Sequence, residues 1–277
     1  MRVAEARASP REERRGQSLK AENLTVCSVE RGPPFCDTSV IPGRISEMFC
    51  HWRVMPVPMP LEDMRILDLT RLLPGPFCTH LLADMGADVV RVEDPRVGDY
   101  VRMNPPVASS GMSIHHHVLN RNKRSIGIDL KRREGKELLM ELATWADVLV
   151  EQFRPGVMDR LGLGYESVRE VNPSIIYCSI TGYGQDGPYM DKAGHDINYL
   201  GYAGVLASTG EPDGPPVICG VQIADLGGGG MYAALSILMA YIYMKKTGKG
   251  QHLDVSMTDG SLSWLAISTG DLLVGGK

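Results

Sequence analysis

The sequence predicts an α/β fold, a Rossmann-like parallel sheet with helices on both faces. Three observations predict it. From Arg65 onward, short strand-like runs alternate with amphipathic helical stretches. The run Val148-Leu149-Val150 is apolar without alternation, as a strand covered on both faces requires. Glycines stand where two of the helices should stop, at Gly86 and Gly248.

The elements follow in order. Residues 65–70 form a first strand. Residues 76–85 form a helix with Phe77, Leu81, Leu82 and Met85 on one face. Strands are expected over 87–93 and 125–130, then a helix over 132–145 that turns Leu138, Leu139 and Leu142 inward. A strand over 147–151 is followed by short helices near 156–161 and 165–171. A fifth strand covers 174–180. A long helix runs over 226–246, with Lys245 and Lys246 at its negative dipole end. A last strand covers 251–257, and another apolar helix begins at Asp259. Ligands in such folds collect at the carboxyl ends of the strands.

Three segments divide the chain. Residues 1–58 mix Arg, Glu, Pro, Ser and Cys without periodicity, so disorder or a non-native extension is expected there. Met59-Pro60-Leu61-Glu62-Asp63-Met64 reads like a protein start. Residues 59–256 form the α/β domain. Residues 257–277 read as the start of a linker, because the chain stops in mid-architecture.

A net charge of -4 gives no electrostatic case for nucleic-acid binding. Six cysteines, at 27, 36, 50, 78, 178 and 219, contain no C-x-x-C pair and read as reduced thiols. No apolar run is read as membrane-spanning; Met231 to Met244 has the length of a core helix. Glu5, Glu12, Glu13 and Glu22 argue against a transit peptide, and a cytoplasmic location is expected.

Gly182-Tyr183-Gly184-Gln185-Asp186-Gly187 matches a dinucleotide fingerprint, but Pro188 and a polar stretch follow it instead of a helix. An active-site loop is the better reading. His115-His116-His117 reads as an exposed loop, since adjacent imidazoles do not converge on one ion; no metal site is expected. The cluster from Asn120 through Arg121, Lys123 and Arg124 reads either as a solvated loop, the commoner case for a charge run, or, with Arg154 and Arg160, as an anchor for a phosphorylated ligand. His195 alone is ordinarily structural, and Asp225 alone ordinarily an N-cap. Together, each beside glycines in an α/β fold, they offer a base and an acid for proton transfer at a carbon acid.

The motifs Arg71-Leu72-Leu73-Pro74-Gly75-Pro76, Leu82 to Glu93, Asn120 to Lys131, Phe153-Arg154-Pro155-Gly156-Val157, Arg160 to Gly164, Thr181 to Gln185, Gly194 to Tyr199, Asp225 with its glycines, and Thr247 to Gln251 resemble the family III CoA-transferase superfamily, which includes the alpha-methylacyl-CoA racemases. The resemblance implies that residues 59–256 are the large, CoA-binding domain of that fold and that its small domain is missing here. It implies an acyl-CoA thioester substrate, an interlocked homodimer in the full-length protein, and no cofactor beyond the CoA moiety. It places CoA contacts at Ile128, Asp129, Leu130, Lys131, Gln152, Phe153 and Arg160, to which the basic cluster adds Arg121. Substrate contacts fall at Gly194, Asp196, Asn198 and Tyr199.

The resemblance makes His195 and Asp225 the expected catalytic pair. The Gly194-His195-Asp196-Ile197-Asn198-Tyr199 setting favours a 2-methylacyl-CoA racemase, an isomerase of lipid metabolism. His195 and protonated Asp225 would exchange protons on opposite faces of the α-carbon. Protonation of Asp225 then requires burial to overcome its place near a helix N-terminus. The alternatives are a CoA-transferase with Asp225 as nucleophile, and a non-catalytic CoA-binding fragment.

Overall fold

A computed structural model describes residues 26–27, 58–211 and 213–276. The expectation for residues 1–58 lies outside the described residues, apart from residue 58 and a two-residue strand, β1 (Val26–Cys27).

The body follows the predicted alternation. In chain order it comprises β2 (Arg65–Asp68), α1 (Pro74–Asp84), β3 (Asp88–Glu93), α2 (Ile114–Asn120) and β4 (Lys123–Gly127). Then come α3 (Arg133–Trp145), β5 (Val148–Glu151), α4 (Val157–Leu161), α5 (Tyr165–Val171) and β6 (Ile176–Thr181). After α6 (Asp196–Ala203), a π-helical segment (Ile223–Met231) runs into α7 (Tyr232–Thr247). β7 (Gln251–Ser256), α8 (Met257–Leu262) and α9 (Ala266–Gly275) complete it.

Among the described residues the sheet order is β1-β4-β3-β2-β5-β6-β7. β2 to β7 are parallel, and β1 pairs antiparallel with β4. The chain starts the parallel sheet at β2, grows outward through β3 and β4, then returns to the other side of β2 with β5. That reversal creates a crevice at the carboxyl ends of β2 and β5, the place where open α/β sheets bind ligands.

Successive strand residues face opposite ways, so the inner strands β2, β3, β5 and β6 each feed two cores. Ile66, Val89, Val148, Val150, Ile176 and Cys178 pack with Leu82 of α1, Leu200 of α6 and Ile237 of α7. Leu67, Val90, Leu149 and Tyr177 pack with Leu139 of α3, Met158 of α4 and Val168 of α5. This double covering explains why β5 reads as an apolar run without alternation.

Four local features differ from the sequence reading. His115, His116 and His117 lie on the short helix α2 and not in a loop. His116 is buried, and burial together with Arg102 and Arg91 pushes its imidazole down to about 4. Residues 196–203 are helical, which no periodicity announced. The helix begun at 257 is broken by a 3-10 turn, Ser263–Leu265, before α9. The π segment and α7 together make a 25-residue apolar helix with an 18-residue stretch of mean hydropathy 1.3, long enough to cross a membrane by length and composition alone. Ala233, Ile237, Ala240 and Met244 bury one face of it against the sheet, as a core helix does.

Candidate active site

Two loops meet at the carboxyl ends of β2 and β5. The loop after β2 runs into α1, and the loop after β5 carries Gln152 and Phe153. The Gly75 N–H donates to Gln152 Oε1 at 3.0 Å. The Arg71 guanidinium stands 5.1 Å from the centre of the Phe153 ring. Gly75 must lack a side chain, because an added Cβ would overlap Thr70. The first turn of α1 has no amide left for a pyrophosphate. Pro74 and Pro76 have none, Gly75 is bonded to Gln152, and the Phe77 N–H donates to the Leu73 carbonyl. That argues against dinucleotide binding at this helix in the usual manner.

The expected CoA contacts divide into two groups. Ile128, Asp129, Leu130 and Lys131 follow the carboxyl end of β4. The Ile128 N–H donates to the Glu93 carbonyl at 2.9 Å, and Asp129 Oδ1 accepts the Lys131 N–H at 3.0 Å. Gly135 of α3 lets this loop lie against the helix, since a Cβ there would strike the Asp129 carbonyl. Lys131 and Arg160 are exposed. With Gln152 and Phe153 these residues share the carboxyl edge of the sheet.

Arg121 belongs to the other edge. It precedes β4 and forms a two-pronged ion pair with Asp84, at the end of α1. Arg124 pairs with Asp88, and buried Lys123 pairs with Asp68 and donates to the Pro76 carbonyl. Each cation of the expected phosphate anchor between residues 120 and 124 already has a carboxylate partner. The structure does not bring Arg121 to the other candidates. The sequence hid this because the acids lie 36 to 55 residues away along the chain.

The second group is built around Tyr199. Its ring fits between Gly182 and Gly194, where a Cβ on either glycine would collide with it. Its hydroxyl donates to the Gly194 carbonyl at 2.6 Å. This seats the start of α6, where the His195 N–H donates to Asn198 Oδ1 at 3.0 Å. His195 and Asn198 are exposed, while Asp196 is half-buried. Asp196 Oδ1 in turn accepts the Asp225 N–H at 2.9 Å. The structure therefore brings together His195, Asp196, Tyr199 and Asp225.

Asp225 is not an N-cap. It is the third residue of the π segment, whose cap is Gln222. Such i→i+5 turns are rare and concentrate at functional sites. The glycines that follow serve packing. A Cβ on Gly228 would stand 2.6 Å from the Met257 carbonyl oxygen, and one on Gly230 would stand 2.8 Å from the Pro74 carbonyl oxygen. They let the π segment lie directly on α8 and on the first turn of α1. That same first turn holds Gln152, so the crevice and Asp225 share one support.

The Asp225 carboxyl is pushed up to about 6, chiefly by burial and then by the negative charge of Asp196, while His195 opposes the shift. Tyr199 rises to about 12, through burial and the charge of Asp225. No group of three or more His, Cys, Asp or Glu suited to a metal ion occurs among the described residues.

A family model described as CoA-transferase family III matches residues 61–277. The chain is 43% identical over 224 residues to a succinate–glutarate CoA-transferase of Agrobacterium fabrum, covering 79% of this chain and 56% of that protein. It is 42% identical over 218 residues to a human succinyl-CoA:glutarate CoA-transferase, covering 79% and 50%. The crystal structure of a CAIB/BAIF family protein from Brucella suis superposes with a TM-score of 0.75 at 42% identity, over 79% of this chain and 58% of that one. The chain thus spans about half the length of the curated relatives it matches.

These findings correct the racemase reading and the isomerase class with it, since the relatives are named for CoA transfer. The physical reason is that His195 is held at the start of α6 by its backbone, so a histidine there does not by itself assign proton-transfer chemistry.

Proposed function

Because the chain belongs to CoA-transferase family III, we propose that it moves coenzyme A between carboxylic acids, with Asp225 as the nucleophile. The observation that carries this is the placement of Asp225. It is a half-buried carboxylate with its own N–H anchored to Asp196, at the support shared with the crevice. A carboxyl titrating near 6 is roughly nine-tenths ionised at pH 7, yet more basic than an exposed aspartate. Both properties suit a carboxylate nucleophile.

The reaction balances without an added cofactor. An Asp225 oxygen bonds to the thioester carbonyl carbon, the C–S bond breaks, and the CoA thiolate leaves a mixed anhydride behind. The thiolate then attacks the aspartyl carbonyl and releases the first acid as its carboxylate. The aspartyl thioester passes CoA to a second carboxylate by the same two steps reversed. The Gln152–Phe153 loop and Ile128 to Lys131 would hold CoA, with Arg160 at its phosphates. Gly194, Asp196, Asn198 and Tyr199 would shape the acyl site.

The relatives' names make succinyl-CoA and glutarate the first pair to try. Glutaryl-CoA should appear, and carboxylate-18O glutarate should leave label in the Asp225 peptide by mass spectrometry. CoA transfer with no label on Asp225 would exclude the anhydride. Loss of α-hydrogen to deuterated water, without transfer, would exclude the class.

A further inference from the structure

Glu151 ends β5 at the crevice and is 4% exposed. Its Oε2 accepts the Phe153 N–H at 2.7 Å, a length typical of a charge-assisted bond. The residue between them, Gln152, reaches across to the Gly75 N–H, and the Phe153 ring meets Arg71. The Glu151 carboxylate therefore folds the turn that presents both side chains to the crevice.

Its surroundings are polar but carry no compensating cation among the described residues. From β6, the Ser179 side chain faces it and favours its charged form. Ser179 Oγ lies 3.0 Å from His252 Nε2 of β7. With His252 Nε2–H donating to Ser179 Oγ, the Ser179 O–H is left to face Glu151. The acids facing it are Asp159 of α4 and Asp254 of β7. On the β2 side, Asp68 is engaged by Lys123, Thr70 and Thr79. Burial, helped by Asp159 and Asp254, pushes the Glu151 carboxyl up to about 7, against the Ser179 and Phe153 hydrogen bonds.

We propose that Glu151 is a positioning residue whose ionised carboxylate sets the Gln152–Phe153 turn in the shape that grips coenzyme A, so that the grip weakens as this carboxylate takes up a proton. The proposal rests on the coenzyme A reading of the crevice. A carboxylate accepts an N–H more strongly than a carboxylic acid does, and the turn follows that bond.

Titration calorimetry of coenzyme A into the full chain from pH 5.5 to 8.5 tests it. Wild-type affinity should fall roughly fivefold as pH drops through neutrality, the difference between a charged and a neutral hydrogen bond. Glu151→Gln should stay at the weaker level across the range. The 3′-phosphate of the ligand titrates near pH 6 in every protein, so the wild-type-minus-variant difference isolates Glu151. Ser179→Ala, which removes a donor to the carboxylate, should move the wild-type midpoint to higher pH; this arm stands even if Glu151→Gln does not fold. The same pH profile in wild type and Glu151→Gln, or an unmoved midpoint in Ser179→Ala, overturns the positioning role. Absence of coenzyme A binding at every pH overturns the function itself, and this proposal with it.

Discussion

The backbone N–H of Asp225 donates to the Asp196 carboxylate at 2.9 Å, joining two segments 29 residues apart. The bond fixes the π segment against the start of α6. It also places a negative charge beside the Asp225 carboxyl, the second cause of its upward shift after burial. Anchor and charge are separable, because asparagine keeps an acceptor oxygen and loses the charge.

Asp196→Asn should therefore lower the pH at which Asp225 ionises while leaving it in place. The acid limb of the kcat/KM profile for CoA transfer should move to lower pH. Asp196→Ala should instead reduce activity at all pH values, since it removes the anchor. A pH–rate series on both variants decides this, and an unmoved acid limb in Asp196→Asn would count against the charge argument.

Asp225→Asn should abolish transfer, by roughly 10⁴-fold or more if the carboxylate is the nucleophile. The same change should stabilise the chain at neutral pH. The folded carboxyl titrates at about 6 against an ordinary 3.8, so between these values the folded chain holds a proton that the unfolded chain has released. Stability from this group is full below 3.8 and is lost as pH rises through 6. A neutral side chain avoids that loss, a gain of about 3 kcal/mol at pH 7 and almost none at pH 3. Urea unfolding at the two pH values would measure it.

The inner sheet was legible because strands such as β5 and β6 announce themselves twice, by an apolar run and by the helix that follows. Val148-Leu149-Val150 feeds both cores, so it cannot read as anything but doubly covered. The site was legible only as motifs. Asp225 looked like a cap because an aspartate preceding a long helix is ordinarily its N-cap, whereas here it lies inside the π segment and Gly228 and Gly230 serve contact with α8 and α1. α6 was missed because it is fixed by the Tyr199 ring lodged between Gly182 and Gly194, a contact that no periodicity in the segment signals. Arg121 misled because its partner Asp84 is remote in the chain and near in space.

Tyr199→Phe should be a mild lesion with a local readout. It removes the hydroxyl donated to the Gly194 carbonyl at 2.6 Å and leaves the ring packed. A lost partner of this kind costs about 1 kcal/mol or slightly more. Because Gly194 leads into His195 and Asp196, KM for the acyl donor should rise more than kcat falls. Equal changes in both would indicate that the hydroxyl contributes to the chemistry itself.

Gly260→Ala tests how the π segment is held. A Cβ at Gly260 would overlap the backbone carbonyl of Gly228, and neither partner is a flexible side chain that can turn aside. α8 would have to lift from the π segment, at a cost of about 1–3 kcal/mol or more by analogy with overpacked cores. The control is Gly270→Ala, on α9, where a Cβ meets nothing within 4 Å. There the helix should gain about 0.5–1 kcal/mol from the better helix former. Since Asp225 rides on the segment that Gly260 supports, the first variant should lose transfer activity even at temperatures where it remains folded, while the second keeps it. Folded, fully active Gly260→Ala protein would show that the close backbone contact does not set the position of Asp225.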